Sequence, residues 1–395
     1  KNNVLEFLNM SFDLIKSEGL ARAGILRTAH GDVKTPIFMP VATQGSVKSV
    51  SPDDLYEIGA QIILGNTYHL YLRPGVDLIQ NFGGIHKYIN WKKPVLTDSG
   101  GFQGFSLQHL RSIKYDGIEF KSHIDGSSHF FSPESTVKCQ EKIGADIIMP
   151  LDVCLQQGSK DSEVQEAVKL TTEWAKKSKD IHSRNNQLLF GIVQGGLDEN
   201  LRVESTNDLI NIGFPGYAIG GLSVGESKPE MYQIAKFTSA LLPKNKPRYL
   251  MGVGSPEDLI ECIAIGIDMF DCVLPTRVAR NGVLFVDYGR INIYNAQFRD
   301  LDGPIQIKCK CYTCKNFSIG YLHHLYRSKE ILYYRLATIH NLNYILKLID
   351  DIRNHIISGD FFDFLSDFRS KYVPSNQKVR LEQKQKWLNS QRLKD

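Results

Sequence analysis

Two groups of residues in this 395-residue chain have types and spacings that could do chemistry. The first is Cys309-Lys-Cys311-Tyr-Thr-Cys314, three thiols close enough for one stretch of backbone to wrap a single metal ion. Zinc takes four tetrahedral ligands, so a fourth must come from elsewhere. His340, inside an apparent helix 331–347, is the preferred candidate, and the pair His323-His324 is its rival. Three thiolates and a histidine would fill the coordination sphere. The expectation is one structural Zn2+ per chain that contributes to folding rather than activating a water. The remaining cysteines, Cys139, Cys154, Cys262 and Cys272, are scattered, and an odd total without a secretory signal argues against a disulfide framework.

The second group is a pair of aspartates. Asp98 sits in Thr-Asp-Ser-Gly-Gly-Phe-Gln and Asp271 follows Asp268-Met-Phe, each at the end of a short apolar run that reads as a strand. A strand-end aspartate can simply cap the next helix. Gly100 and Gly101 after Asp98 point to another use, because they let a ligand approach the backbone closely. Two carboxylates facing across one mouth suit displacement at a glycosidic carbon. One attacks the anomeric carbon to give a covalent glycosyl-enzyme, the other moves protons, and two inversions retain the sugar's configuration. These residues alone leave open which carboxylate takes which part.

Both groups need elements to position them. Short apolar runs at 35–41, 61–64, 94–96, 146–151, 188–193, 217–219, 249–252 and 267–270 alternate with stretches of helical character, among them 161–181, 227–242 and 255–265. Continuous apolar runs that alternate with helices predict parallel strands buried on both faces. Six of the runs lead at once into loops rich in functional groups: Asn66 to His69, Asp98 to Gln103, Asp152 to Cys154, Gln194 to Gly196, Gly220 to Leu222, and Asp271-Cys272. A closed barrel brings every such loop to one rim, whereas an open doubly wound sheet gathers only some of them. The predicted fold is therefore α/β, a (β/α)8 TIM barrel with a C-terminal zinc-binding subdomain. Residues 1–280 would supply most of the barrel and an N-terminal extension. Residues 281–345 would form the zinc subdomain, opening with an antiparallel pair at 283–288 and 291–294. Closing helices would occupy 346–374 and a charged tail 375–395.

Composition narrows the function classes. Hydrophobic residues at 42% against charged ones at 23% fit a globular chain with a large core. A net charge of +4 means that any nucleic-acid site must be a local patch. No stretch approaches the roughly 20 apolar residues of a membrane span, so the expectation is a cytoplasmic protein without a membrane partner.

Longer motifs carry a resemblance. Gly65-Asn-Thr-Tyr-His-Leu70, Thr97-Asp-Ser-Gly-Gly-Phe-Gln103, Gly220-Gly-Leu-Ser-Val-Gly-Glu226, Tyr249-Leu-Met-Gly-Val-Gly254 and Asp268-Met-Phe-Asp-Cys-Val-Leu-Pro-Thr-Arg277, together with the cysteine spacing, resemble those of bacterial-type tRNA-guanine transglycosylases over about residues 12–372. The resemblance implies a zinc-containing barrel transferase that exchanges guanine at the tRNA wobble position for a 7-deazaguanine, in queuosine biosynthesis. It implies Asp271 as the nucleophile, Asp98 as general acid/base, and Asn66 as the residue that orients Asp98. Around the base it implies Ser99, Gly100 and Gly101, with Asp152 and Gln194 reading the purine edge and the backbone of Gly220, Gly221 and Leu222 holding the carbonyl or 7-substituent. Phe102 and Met251 would sandwich the ring.

RNA contacts would come from Thr276, Arg277, Val278, Ala279 and Arg280, and from Gly252, Val253, Gly254, Ser255, Pro256, Glu257 and Asp258. The implied partners are a tRNA with a G-U-N anticodon, the base preQ1, favoured over queuine by Cys154, and a second copy of the chain, with Tyr321 and His324 on the homodimer surface. Gly104 and Val153 depart from the usual pattern, where a bulkier residue and a glutamate are expected. The alternatives are a queuine-incorporating enzyme, a catalytically silent RNA-binding partner subunit, an archaeal-type enzyme acting in the D-arm, and an unrelated barrel glycosidase. Having both Asp98 and Asp271 argues against the silent subunit.

Overall fold

The computed structural model describes residues 11–101 and 111–374. Each apolar run forms a strand, shifted or shortened at its ends: Ile37–Met39 with Val41–Ala42, Ile63–Gly65, Val95–Thr97, Ile147–Ile148, Leu188–Leu189 with Gly191–Val193, Tyr217–Ile219, Arg248–Leu250 and Met269–Asp271. Every pairing among them is parallel. They make two five-stranded sheets that meet at both edges. Val41–Ala42 pairs with the second strand, while Ile37–Met39, on the same stretch of chain, pairs with the eighth. Leu188–Leu189 likewise pairs with the fourth strand, and Gly191–Val193 with the sixth. The ring is therefore closed, an eight-stranded barrel in chain order, as predicted. Pro40 and Phe190 mark the two hand-offs. The ladder continues through them, because Leu64 N donates to Pro40 O at 3.0 Å and Phe190 N to Ile148 O at 3.0 Å.

Side chains fill the ring rather than leaving a pore. Met39, Val41, Leu64, Leu96, Met149, Phe190, Ile192 and Met269 are buried there together. A larger apolar cluster lies between the strands and the helices around them. Helix starts follow local chemistry: Ser132, Ser227 and Ser255 each accept a backbone N–H of the following first turn and are followed by Pro within that turn.

Two antiparallel sheets are additions to the predicted architecture. The strands Phe12–Glu18, Ala21–Thr28 and Gly31–Thr35 form one sheet. Its Phe12, Leu26 and Val33 join the cluster inside the barrel at the amino ends of the strands. Arg22 binds Asp268, just before the eighth strand, and His30 binds Asp146, just before the fourth. Those strands stand opposite each other in the ring, so this sheet spans the floor. The other sheet, Arg111–Lys114, Gly117–Lys121 and Ser128–Phe131, follows the third strand and packs through Ile118, Phe120 and Phe131 against Tyr68, Leu151 and Trp174.

Past the barrel strands, the predicted hairpin forms at Val283–Val286 and Gly289–Asn292. The helix Ile331–Ser358 then runs unbroken, so the expected division at 345 falls inside it. Its first half carries His340. Its second half closes the barrel, with Arg353 donating to Gly24 O at 2.8 Å. Among the described residues no helix is long and apolar enough to cross a membrane. Phe102 and Gly104, the first ten residues and the charged tail 375–395 lie outside the described residues.

Candidate active site

Parallel strands deliver their carboxyl ends to one rim, and seven strands place a candidate residue there or just beyond: Asn66, Asp98, Asp152, Gln194, Gly220, Met251 and Asp271. Asp98 is buried immediately after the third strand. The Asn66 side-chain amide donates to its Oδ2, and Thr67 N (2.9 Å) and Gly100 N (3.2 Å) donate to its Oδ1. The Asn66 amide and two backbone amides thus meet at the Asp98 carboxylate. Asp271 ends the eighth strand and keeps part of its surface open. Its Oδ1 accepts from Tyr249 Oη at 2.6 Å and from Gly252 N at 2.9 Å. Among the described residues its Oδ2 has no donor. Burial pushes the Asp271 carboxyl up, with the Tyr249 and Gly252 hydrogen bonds acting the other way.

Tyr249 supports Asp271 from inside the barrel. This phenol is buried in the barrel, and burial, then the negative charge of Asp271, its hydrogen bond and the charge of Asp98 push it far above its ordinary range. The sequence reading treats Tyr249 only as part of an apolar run. An inward phenol two residues before a rim loop is the signal that could have found it.

A second cluster adjoins the first. Asp152 accepts from Ser99 Oγ at 2.9 Å and from Gln194 Nε2 at 2.9 Å, and Gly101 N donates to Ser99 Oγ at 3.1 Å. Asp152, Gln194, Ser99, Cys154 and Leu222 are buried, and Gly221 is half-buried. A cavity of about 440 Å³ opens beside them, bounded by Val153, Gln194, Gly196, Gly221 and Val224.

The expected RNA-contacting residues are placed unevenly. Arg277 is exposed, Arg280 is half-buried and donates to Thr276 O, and Thr276 and Ala279 are buried. In the other segment Gly252 is exposed, but Glu257 binds Lys228 and Arg290, and Asp258 binds Lys228 and Ser255. Those two carboxylates are engaged within the fold.

Behind the barrel, Cys309, Cys311, Cys314 and His340 come together. The thiol sulfurs lie 3.8, 3.7 and 3.4 Å from His340 Nδ1. Tetrahedral zinc, with its usual Zn–S and Zn–N lengths, spaces such ligands by about 3.6 Å. The donor set and its spacing fit a metal ion. His340 Nε2 donates to Phe285 O at 2.8 Å, which turns the other ring nitrogen toward the thiols. The rival His323 is instead turned to Ile293 O, and His324 lies in a surface row with Tyr321 and Phe317. The next residue, Asn341, donates to Pro275 O and Val283 O, fastening the metal-site helix to the helix that follows Asp271.

Fold and site together define a barrel enzyme with an acidic mouth and a Cys3His metal centre. A model of the queuine tRNA-ribosyltransferase family matches residues 17–374. Queuine tRNA-ribosyltransferases from Dehalococcoides mccartyi (strain CBDB1), Halothermothrix orenii and Oleidesulfovibrio alaskensis are 51%, 52% and 53% identical to it, covering 96%, 93% and 91% of this chain and 98%, 99% and 96% of their own. The chain belongs to the queuine tRNA-ribosyltransferase family and is an enzyme of that transferase class.

Proposed function

We propose that this chain is a tRNA-guanine transglycosylase that exchanges guanine at the wobble position of a G-U-N anticodon for preQ1. The observation that carries the reading is the pair of carboxylates, Asp98 and Asp271, at the carboxyl ends of two strands of one closed parallel barrel, and so at one rim. Asp271 Oδ2 attacks C1′ of the target ribose and breaks the glycosidic bond, leaving a covalent tRNA–enzyme ester, while Asp98 as the acid gives its proton to guanine N9 and becomes a carboxylate as guanine departs. Asp98, kept in place by Asn66, Thr67 and Gly100, then takes the proton from N9 of the incoming base. That nitrogen attacks C1′ and expels the Asp271 carboxylate, so configuration is retained overall. Asp152 accepts the N–H groups of the purine edge, and Gln194 with the Gly221 backbone faces its carbonyl.

The metal at the Cys3His cluster is zinc, one per chain, and it is structural: four protein ligands leave no open position for a substrate. Elemental analysis should return about one zinc per chain, and a chelator should lower the melting temperature of the protein. A metal-free chain of unchanged melting temperature would refute the structural role. Phe317, Tyr321 and His324 form the homodimer surface. Sedimentation that finds only monomer at micromolar concentration would refute that. The location is the cytoplasm, where the tRNA is.

The main test is displacement of labelled guanine from tRNA by preQ1. The cavity beside Gln194 and Gly221 favours a second reading, a bulkier base such as queuine. Direct competition between preQ1 and queuine decides between the two.

A further inference from the structure

Arg202 belongs to none of the sequence motifs, yet it is completely buried. It stands in the first turn of the helix Glu199–Ile212. Among the described residues its guanidinium donates only to backbone carbonyls: Nε and Nη2 to Gly196 O (3.0 and 2.8 Å), and Nη1 to Val193 O (3.1 Å) and Gly220 O (2.9 Å). Among the described residues no carboxylate lies at ion-pair distance from it. Burial lowers its pKa to about 10, so it remains charged at neutral pH. A charge held in the dry interior on carbonyls alone is costly, and its use lies in what it joins.

It joins the two polar walls of the base pocket. Val193 and Gly196 flank Gln194 on the fifth strand and its loop, and Gly220 directly follows the sixth strand, beside Gly221. The space between these walls has no slack. Gly195, at φ +138°, leaves room for the Arg202 backbone, which would lie 2.9 Å from a Cβ there. A Cβ on Gly221, at φ +67°, would fall 2.5 Å from Gln194 Oε1.

We propose that Arg202 is a positioning residue for base recognition, setting the gap between the Gln194 amide and the Gly220–Leu222 backbone and hence the affinity for the free base. It touches neither the base nor Asp271. The inference rests on the base-exchange reading above. Lysine presents its donors from one point, so it cannot bridge three carbonyls as the planar fork does. Arg202→Lys and Arg202→Met should each raise KM for the incoming base about tenfold, the scale of one lost charge-assisted hydrogen bond. At saturating base, kcat, its pH profile and the yield of covalent tRNA adduct should stay within about twofold.

A folded variant with unchanged KM, or one that loses kcat while KM holds, overturns the inference. Should neither variant fold, hydrogen exchange on the wild-type chain decides. The amides of 194–196 and 220–222 should gain protection together when guanine is added, and protection of one set alone overturns the inference. A wild-type chain that exchanges no base sinks the base-exchange reading and this inference with it. An active wild type with insensitive variants sinks only the role of Arg202.

Discussion

The two ends of the barrel use the same residue type in opposite ways. At the mouth, the donors that the described residues offer to Asp98, Asp152 and Asp271 are neutral: amides, a serine hydroxyl and a phenol. At the floor, Asp268 takes a two-pronged contact from Arg22, and Asp146 takes both His30 and His86. Neutral dipoles fix a carboxylate in place without cancelling its charge, which leaves it fit to attack or to accept a proton. At the floor the Arg22 guanidinium and the two imidazoles use the carboxylates to join pieces of the chain.

The floor also shows why a group of ligands need not be a metal site. His30, His86 and Asp146 lie as close together as the zinc-type cluster does. Their nitrogen–oxygen distances are 2.7 and 3.0 Å, the spacing of hydrogen bonds, and the two rings stack at 3.6 Å with an interplanar angle of 15°. Parallel rings send their lone pairs side by side rather than to one point. The arrangement is a latch between the floor sheet and the fourth strand.

Three measurements would break or sharpen this contrast. The largest effect belongs to the mouth. Asp271→Asn should cut base exchange by about 10⁴-fold or more, the scale on which a lost nucleophile acts. The same change should not lower stability. Burial raises the Asp271 pKa above 3.8, so its ionised form weighs against the fold as pH rises past that value. The variant's melting temperature should therefore match or exceed that of the wild type at neutral pH. A clear drop would move Asp271 into the same class as the floor carboxylates.

Arg22→Ala should show the reverse pattern. It leaves Asp268 buried without its partner and should cost about 3–5 kcal/mol of stability, with kcat of the folded enzyme nearly unchanged. Burial already pushes Asp268 up to about 6 against the pull of Arg22, so the deficit should shrink on acidification as the carboxyl takes a proton. Urea unfolding at several pH values checks both points. A variant that stays stable but loses activity would erase the distinction between the two ends.

The smallest effect is expected at His30→Gln, which keeps a neutral donor. The hydrogen bond to Asp146 raises the His30 pKa, so its share of stability is complete below 6.5 and fades as pH rises through its folded value. For Asp146, burial pushes upward, but the His30 and His86 hydrogen bonds outweigh it and hold the carboxyl well below 3.8, so its share fades only in stronger acid. Thermal scans should therefore show a deficit of about 1–2 °C between pH 4 and 6.5 that shrinks as pH rises above 6.5. A deficit independent of pH would mean that the latch is packing rather than charge.

Much of the barrel is legible in the sequence because its strands are buried on both faces and stand out as unbroken apolar runs. The two antiparallel sheets escape that reading. Phe12–Glu18 buries only Phe12, and Gly117–Lys121 sets Ile118 and Phe120 among polar neighbours, so neither shows a continuous apolar run. Cysteine spacing announces the metal centre, and the rim loops announce Asp98, Asp152 and Asp271. What stays hidden is long-range support. Nothing near Arg202 in the chain signals that its partners include Gly220, and a phenol within an apolar strand looks like core. One helix, Ile331–Ser358, runs through the boundary expected at 345, and its apolar pattern carries no mark there.

The floor sheet also governs traffic. Phe12, Leu26 and Val33 stopper the barrel, so nothing passes out through its far side. In the proposed exchange, the outgoing and incoming bases share one doorway while the RNA stays attached, and they must queue. A flood of free guanine would slow turnover by crowding that doorway, with the bond-breaking step itself unaltered.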